Sequence, residues 1–161
     1  MKVGIIGLGR MGEGMSRRML KEGIETYGYR RNFAKACESA DSGYITAAAD
    51  SLESLVQVVK SDGVPGIFQL VIPAELVEDT INDLLPLLGP GDIVIDHGNS
   101  NFKDSRRRAE HLADLGIEYI DCGTSGGVYG LDRGYCLMVG GTNCAVSTCS
   151  PIFRALAPGI G

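Results

Sequence analysis

The chain has no tryptophan, only two histidines, His97 and His111, and no Cys-x-x-C pair among its five cysteines, Cys37, Cys122, Cys136, Cys144 and Cys149. Zinc sites draw their ligands from closely spaced Cys and His, so this distribution gives no reason to expect a metal. An odd, scattered set of thiols is equally unsuited to a disulfide framework and fits reduced, mostly buried side chains in a reducing compartment. Nothing in the sequence sets a His or Lys beside any of them to lower its pKa, so a nucleophilic cysteine is not expected. Also lacking is an apolar run near the ~20 residues that span a bilayer. The opening Met1-Lys2-Val3-Gly4 carries no signal-peptide pattern, and the expected compartment is cytoplasmic. Basic residues are outnumbered, 15 Lys and Arg against 20 Asp and Glu, for a net charge of −5. Their densest group, Arg106-Arg107-Arg108, falls in a helix-like segment, and there is no long basic stripe to bind nucleic acid.

What is abundant is glycine, 23 of 161 residues, and its placement is informative near the start. The apolar run from Val3 to Ile6 leads straight into Gly7-Leu8-Gly9-Arg10-Met11-Gly12 and then a helix-like segment. In such a strand–turn–helix, the first glycine permits the tight turn, the second lets backbone approach a pyrophosphate, and the third allows close packing of the helix. The free N–H groups and positive dipole end of the helix then face the phosphates. A plain structural turn is the alternative, and the following strand at the required distance argues against it.

That second strand, Glu25 to Tyr29, is followed by Arg30-Arg31-Asn32 and has no acid at its end. An acid there would accept hydrogen bonds from a ribose diol, as NAD requires, whereas an arginine fork can meet the extra phosphate of NADP. The arginines therefore point to NADP over NAD, with a solvated pair opening the next helix as the alternative.

The rest of the pattern alternates. Helices are expected from Met11 to Glu22, Phe33 to Ser42, Leu55 to Lys60, Ala74 to Leu88 and Ser105 to Leu115, and strands at Gly66 to Ile72, Ile93 to Asp96, Glu118 to Asp121 and Leu137 to Val139. A third strand at Thr46 has poor propensity because alanines follow it. Alternation of this kind gives a doubly wound α/β domain of Rossmann type, a mostly parallel sheet with helices on both faces, and a chain of this length holds one such domain, 1–161. Ligands of open α/β sheets bind beyond the carboxyl ends of the strands. The segments leaving strands there are Val71-Ile72-Pro73, Asp96-His97-Gly98-Asn99-Ser100 and Cys122-Gly123-Thr124-Ser125-Gly126-Gly127. Ser125, Gly126 and Gly127 offer a hydroxyl and unblocked N–H groups to an anion, and Asn99 an amide that donates and accepts. A flexible glycine turn and an Asx-turn are the respective alternatives.

Taken together, Gly7 to Gly12, Ile95-Asp96-His97-Gly98-Asn99-Ser100, Asp104-Ser105-Arg106-Arg107, Gly123 to Gly127 and Met138-Val139-Gly140-Gly141 resemble the N-terminal domain of decarboxylating 6-phosphogluconate dehydrogenases over essentially the whole chain. The wording from Thr124 to Leu131 resembles a shorter bacterial branch, many of whose members use NAD, whereas Arg30-Arg31-Asn32 is similar to the Asn-Arg-Thr element of NADP-dependent members. His97 stands where the family usually has glycine. The resemblance implies that Gly7, Leu8, Gly9, Arg10, Met11 and Gly12 hold the pyrophosphate, and Arg30, Arg31 and Asn32 the 2′-phosphate. It assigns Leu70, Val71 and Ile72 to the middle of the cofactor, Asn99 to both nicotinamide and substrate, and Ser125, Gly126 and Gly127 to the sugar acid. It also implies that the family's general-base lysine and proton-donating glutamate, and the all-helical domain that makes a homodimer, lie beyond Gly161, so no catalytic acid or base is expected in this chain. A 3-hydroxyisobutyrate-type dehydrogenase domain and a non-catalytic nucleotide-binding module are the alternatives; the former usually has Ser-Thr where this chain has Gly98-Asn99-Ser100.

Overall fold

The structure is a computed structural model that describes residues 1–63 and 65–159. Its strands are β1 Lys2–Ile6, β2 Glu25–Tyr29, β3 Ala47–Ala48, β4 Ile67–Leu70, β5 Ile93–Asp96, β6 Glu118–Ser125 and β7 Cys136–Gly140. The helices are α1 Arg10–Lys21, α2 Phe33–Asp41, α3 Leu52–Val59, α4 Ala74–Leu84, α5 Phe102–Asp114, the single turn α6 Gly130–Arg133, α7 Asn143–Thr148 and α8 Ser150–Leu156. The strands form one sheet in the order β3-β2-β1-β4-β5-β6-β7. Every pairing is parallel except β6 with β7. The order turns back between β1 and β4, which opens a crevice at their carboxyl ends.

Strand periodicity divides the core into two layers. Val3 and Ile5 of β1, Ile67 of β4, Ile93 and Ile95 of β5 and Ile120 and Cys122 of β6 pack on one face with Met15 and Met19 of α1, Ala36 of α2 and the C-terminal helices. Ile6, Phe68, Leu70, Val94 and Tyr119 face the other way, against Leu55 of α3, Val77 and Ile81 of α4 and Leu112 of α5. Phe68 is fully buried and lies beside Gly4, where a Cβ would come within 2.8 Å of its ring.

Several boundaries differ from the sequence reading. The strand expected over Gly66 to Ile72 ends at Leu70, and β3 is a two-residue strand at Ala47–Ala48, just past Thr46. Helix α4 ends at Leu84 and a 3-10 turn, Leu85–Leu87, follows, because Pro86 has no N–H to continue an α-helix. Helix α5 starts at Phe102, three residues before the expected Ser105, capped by the Asn101 side chain accepting from Lys103 N–H at 2.9 Å. The larger correction is β6: Cys122 to Ser125, read as a loop, continue the strand through antiparallel pairing with β7, and the loop begins at Gly126. Helices α7 and α8 were not anticipated. Arg18 ties this end of the chain down, donating to the carbonyls of Leu131, Ala155 and Ala157 at 3.0, 3.0 and 2.9 Å.

Candidate functional site

The glycine turn sits at the reversal of strand order. Gly7 has φ 102°, and a Cβ there would collide with the carbonyl oxygen of Val71. A Cβ on Gly12 would strike the carbonyl of Gly7, so the third glycine lets the first turn of α1 lie against the loop itself. Gly9 is different: nothing lies within 4 Å of its missing Cβ. It is also the N-cap of α1, which has no side-chain cap, whereas Asn32, Ser51, Asn101 and Thr142 cap α2, α3, α5 and α7. An uncapped helix start beside open space presents N–H groups and a positive dipole end to an anion. The backbone of the loop can therefore hold a pyrophosphate. Leu8 contributes no side chain, since that is buried against Gly28, and Met11 packs partly into the core.

A cleft of about 200 Å³ runs from this turn across the end of β2. Its walls include Gly7, Arg30, Arg31, Leu52, Ile72 and, from α4, Leu76, Asp79, Thr80 and Asp83. Arg30 is half-buried and its Nη1 donates to the Leu8 carbonyl at 3.3 Å, which anchors the guanidinium on the glycine turn and leaves most of its donors free. Arg31 is exposed at the mouth. Asn32 spends its Oδ1 capping α2, accepting from Lys35 N–H at 3.2 Å, and only its amide NH2 remains for a ligand. Leu70 is fully buried, so of the segment Leu70 to Ile72 only Ile72 lines the cleft with its side chain. Asp79 and Asp83 carry no signal in the sequence, where they look like ordinary helix-surface acids.

The second cluster lies at the ends of β5 and β6. Asp96 is fully buried; its Oδ1 accepts from Gly98 N–H at 2.7 Å, and its Oδ2 accepts from the hydroxyls of Ser100 and Tyr119 at 2.7 and 2.6 Å. Arg108 approaches the same Oδ2 at 3.7 Å and Glu78 at 2.7 Å. Burial, then the bond to Asp96, pushes the Tyr119 phenol well above its ordinary pKa, so it remains a donor. This carboxylate moulds the loop that displays Asn99, a non-glycine residue at φ 52°. Asn99 is exposed, and its amide brackets the backbone of Thr124, its Oδ1 accepting from Thr124 N–H at 3.3 Å and its Nδ2 reaching the Thr124 carbonyl at 3.5 Å.

The His97 side chain points inward, away from the loop. Position 97 continues the parity of Ile93 and Ile95, which places the ring in the core layer with 3% exposure. Its Nε2 is 3.0 Å from Gln69 Oε1 and its Nδ1 2.8 Å from Thr124 Oγ1. The Gln69 amide nitrogen donates to Met19 Sδ at 3.2 Å, so its oxygen faces the ring and Nε2 carries the proton, while Nδ1 and the Cys122 carbonyl, 3.0 Å from Thr124 Oγ1, share the one Thr124 hydroxyl proton. Burial holds the imidazole pKa down to about 4, which keeps the ring neutral at pH 7.

Ser125, Gly126 and Gly127 are exposed at the end of β6, the two glycines at φ 149° and 50°. Gly127 shares a recess with Arg10, away from the cleft that contains Arg30. The residues singled out in the sequence therefore occupy three adjacent stations along one edge of the sheet: the glycine turn and its arginines, the Asn99 loop, and the Ser125 turn. The thiols depart from expectation, for only Cys122 and Cys149 are buried, while Cys136 and Cys144 are exposed. Burial raises the buried pair to about 11 and about 12, which keeps them protonated.

A doubly wound sheet with an uncapped, glycine-lined helix start at its switch point defines a dinucleotide-binding domain. A family profile described as the NAD binding domain of 6-phosphogluconate dehydrogenase matches residues 2–160, and the chain belongs to that family. It is 40% identical over 159 residues to an NAD(+)-dependent, decarboxylating 6-phosphogluconate dehydrogenase of Haloferax volcanii, covering 99% of this chain and 51% of that protein. It is 38% identical over 159 residues to the decarboxylating 6-phosphogluconate dehydrogenase of Drosophila melanogaster, covering 96% and 32%. Among solved structures, Plasmodium falciparum 6-phosphogluconate dehydrogenase, described in its apo form and in complexes with its cofactor NADP+ and its substrate 6-phosphogluconate, superposes with a TM-score of 0.88 at 28% identity, covering all of this chain and 35% of that one. A 3-hydroxyisobutyrate dehydrogenase from Salmonella typhimurium gives 0.83 at 28% identity, covering 97% and 53%. The chain thus spans about half or less of the length of these relatives.

Proposed function

We propose that this chain is the NADP-binding part of a cytoplasmic, homodimeric enzyme that oxidises and decarboxylates 6-phosphogluconate to ribulose 5-phosphate. The observation that carries the cofactor choice is the end of β2, where Arg30, anchored on the glycine turn, and Arg31 border the cleft and no acid occupies the strand end. An arginine fork suits a phosphate; a ribose diol calls for a carboxylate. The Haloferax relative is described as NAD(+)-dependent, so the preference is an inference about this chain's own residues.

In this reading the free N–H groups at the start of α1 bind the pyrophosphate, Arg30, Arg31 and the Asn32 amide bind the 2′-phosphate, and Ile72 and the backbone of Leu70 and Val71 flank the centre. Asn99 holds the nicotinamide end against the substrate, and Ser125, Gly126 and Gly127 hold the sugar acid. NADP, when bound, supplies the acceptor for the hydride that leaves C3 of the sugar acid. Oxidation requires a base on the C3 hydroxyl, and protonation after loss of carbon dioxide requires an acid. In this reading both belong to a helical part of the enzyme outside the matched domain.

The test uses protein carrying that helical part, with 6-phosphogluconate and 3-hydroxyisobutyrate as competing substrates. NADPH formation from 6-phosphogluconate is expected. Preferential oxidation of 3-hydroxyisobutyrate would overturn the substrate assignment in favour of the second reading, which the Salmonella fold likeness keeps in view.

A further inference from the structure

Resting on the cofactor placement above, we infer that His97 is a positioning residue for the nicotinamide end of the bound dinucleotide, acting through Thr124 on Asn99. Position 97 follows β5 directly and opens the loop that displays Asn99. Here the position is filled by a ring buried in the core layer.

Polar groups run without a break from α1 to the ligand edge of the sheet. Met19 Sδ accepts from the Gln69 amide, Gln69 Oε1 accepts from His97 Nε2–H, and His97 Nδ1 lies 2.8 Å from the Thr124 hydroxyl, whose proton it shares with the Cys122 carbonyl at 3.0 Å. Thr124 N–H in turn donates to Asn99 Oδ1. The ring is fixed at its own backbone too, where His97 N–H donates to the Leu70 carbonyl at 2.9 Å. The imidazole therefore bridges Gln69 of β4 and Thr124 of β6 across the end of β5, a side-chain tie that a glycine would not supply.

The consequence falls on Asn99. It is exposed, in a left-handed backbone conformation, and its amide orientation is set by the 3.3 and 3.5 Å contacts to Thr124. Contacts that long do not fix an amide unless the group they lean on is itself fixed. The 2.8 Å bond between His97 and Thr124 adds to the pairing of Thr124 with Leu137 of β7 in supplying that fixing. A neutral, singly protonated ring suits the role, because Nε2–H donates to Gln69 and Nδ1 is left as an acceptor facing the Thr124 hydroxyl. Asn99 then meets the nicotinamide half in a preset orientation, without an ordering cost at binding.

The experiment compares two ligands on the same protein by calorimetric titration: NADP, which reaches Asn99, and adenosine 2′,5′-bisphosphate, which ends at the arginine side of the cleft. His97→Ala and Thr124→Val are expected to weaken NADP about threefold to tenfold, the range of one hydrogen bond, and to leave the bisphosphate affinity unchanged. Thr124→Ser retains the hydroxyl and is expected to keep the wild-type ratio of the two affinities. Equal weakening of both ligands in His97→Ala and Thr124→Val would make the ring a mere stabiliser of the fold and overturn the inference, as would an unchanged ratio in both. Asn99→Ala separates the two levels. If it lowers the NADP ratio and His97→Ala does not, the positioning role alone fails; if it leaves the ratio unchanged, the placement of Asn99 at the nicotinamide fails and the inference falls with it.

Discussion

Replacing Asp96 by Asn removes one charge and almost no volume, so its effect isolates the carboxylate that shapes the Asn99 loop. In the wild-type structure this fully buried group accepts from Gly98 N–H, Ser100 Oγ and Tyr119 Oη at 2.7, 2.7 and 2.6 Å, with the Arg108 guanidinium 3.7 Å away. An Asn keeps one acceptor oxygen. If that oxygen stays with Gly98, the NH2 faces two hydroxyls that must reverse to accept, and Tyr119 loses its acceptor. Hydrogen bonds to charged groups contribute about 1.5–3 kcal/mol each, and reversal recovers part of two of them. The nearly buried Arg108 also loses one of its two counter-charges. A net loss of about 2–4 kcal/mol follows. Urea unfolding at pH 7 reads it directly, as a midpoint lowered by about 1–2 M at an unchanged slope. NADP affinity should fall as well, because a Cβ on Gly98 would lie 2.9 Å from Asp96 Oδ1 and the turn is built around that oxygen. A stability loss below about 1 kcal/mol would refute the claim that this carboxylate is held by charge-assisted bonds.

Glu78 joins α4 to α5 through Arg107 at 3.0 Å and Arg108 at 2.7 Å, and hydrogen bonds from these two guanidinium groups lower its pKa from 4.5 to about 2. A depressed carboxylate contributes stability that is complete above the unfolded value and is lost as pH falls from there toward the folded one. With 41% of the side chain exposed, solvent screening reduces that contribution to about 1–2 kcal/mol. Glu78→Gln should lose it at pH 7 and stand closer to wild type at pH 3; a gap independent of pH would count against the clamp. The two helix-start glycines should separate cleanly. Gly12→Ala forces a methyl onto the Gly7 carbonyl and should cost about 2 kcal/mol by thermal unfolding, whereas Gly9→Ala, with open space around it, should leave stability within about 0.5 kcal/mol while weakening NADP. Equal destabilisation by both would show that Gly9 is needed for the fold and not for a ligand.

Much of the cleft was legible in the sequence because its signals are local. The spacing Gly7-x-Gly9-x-x-Gly12, the basic pair after β2 and the alternation of apolar runs each act within a few residues. Other features depend on distant partners. Cys122 to Ser125 carry little strand signal, and they extend β6 because β7 pairs with them from 11 to 17 residues further along. Helices α7 and α8 are short, and Arg18 holds the end of α8 through the carbonyls of Ala155 and Ala157, 137 and 139 residues along the chain. His97 had one usable signal, its parity with Ile93 and Ile95, which points the ring inward; its partners Gln69 and Thr124 become visible only once β4 and β6 flank β5.

The most direct test of the central claim is calorimetric titration of this chain with NADP and with NAD under identical buffer and salt. Arg30 and Arg31 at the mouth of the cleft, with no acid at the strand end, predict that NADP binds at least about tenfold more tightly, since a single charge-assisted contact of about 1.5 kcal/mol suffices for that ratio. Equal affinities, or tighter binding of NAD, would contradict the account.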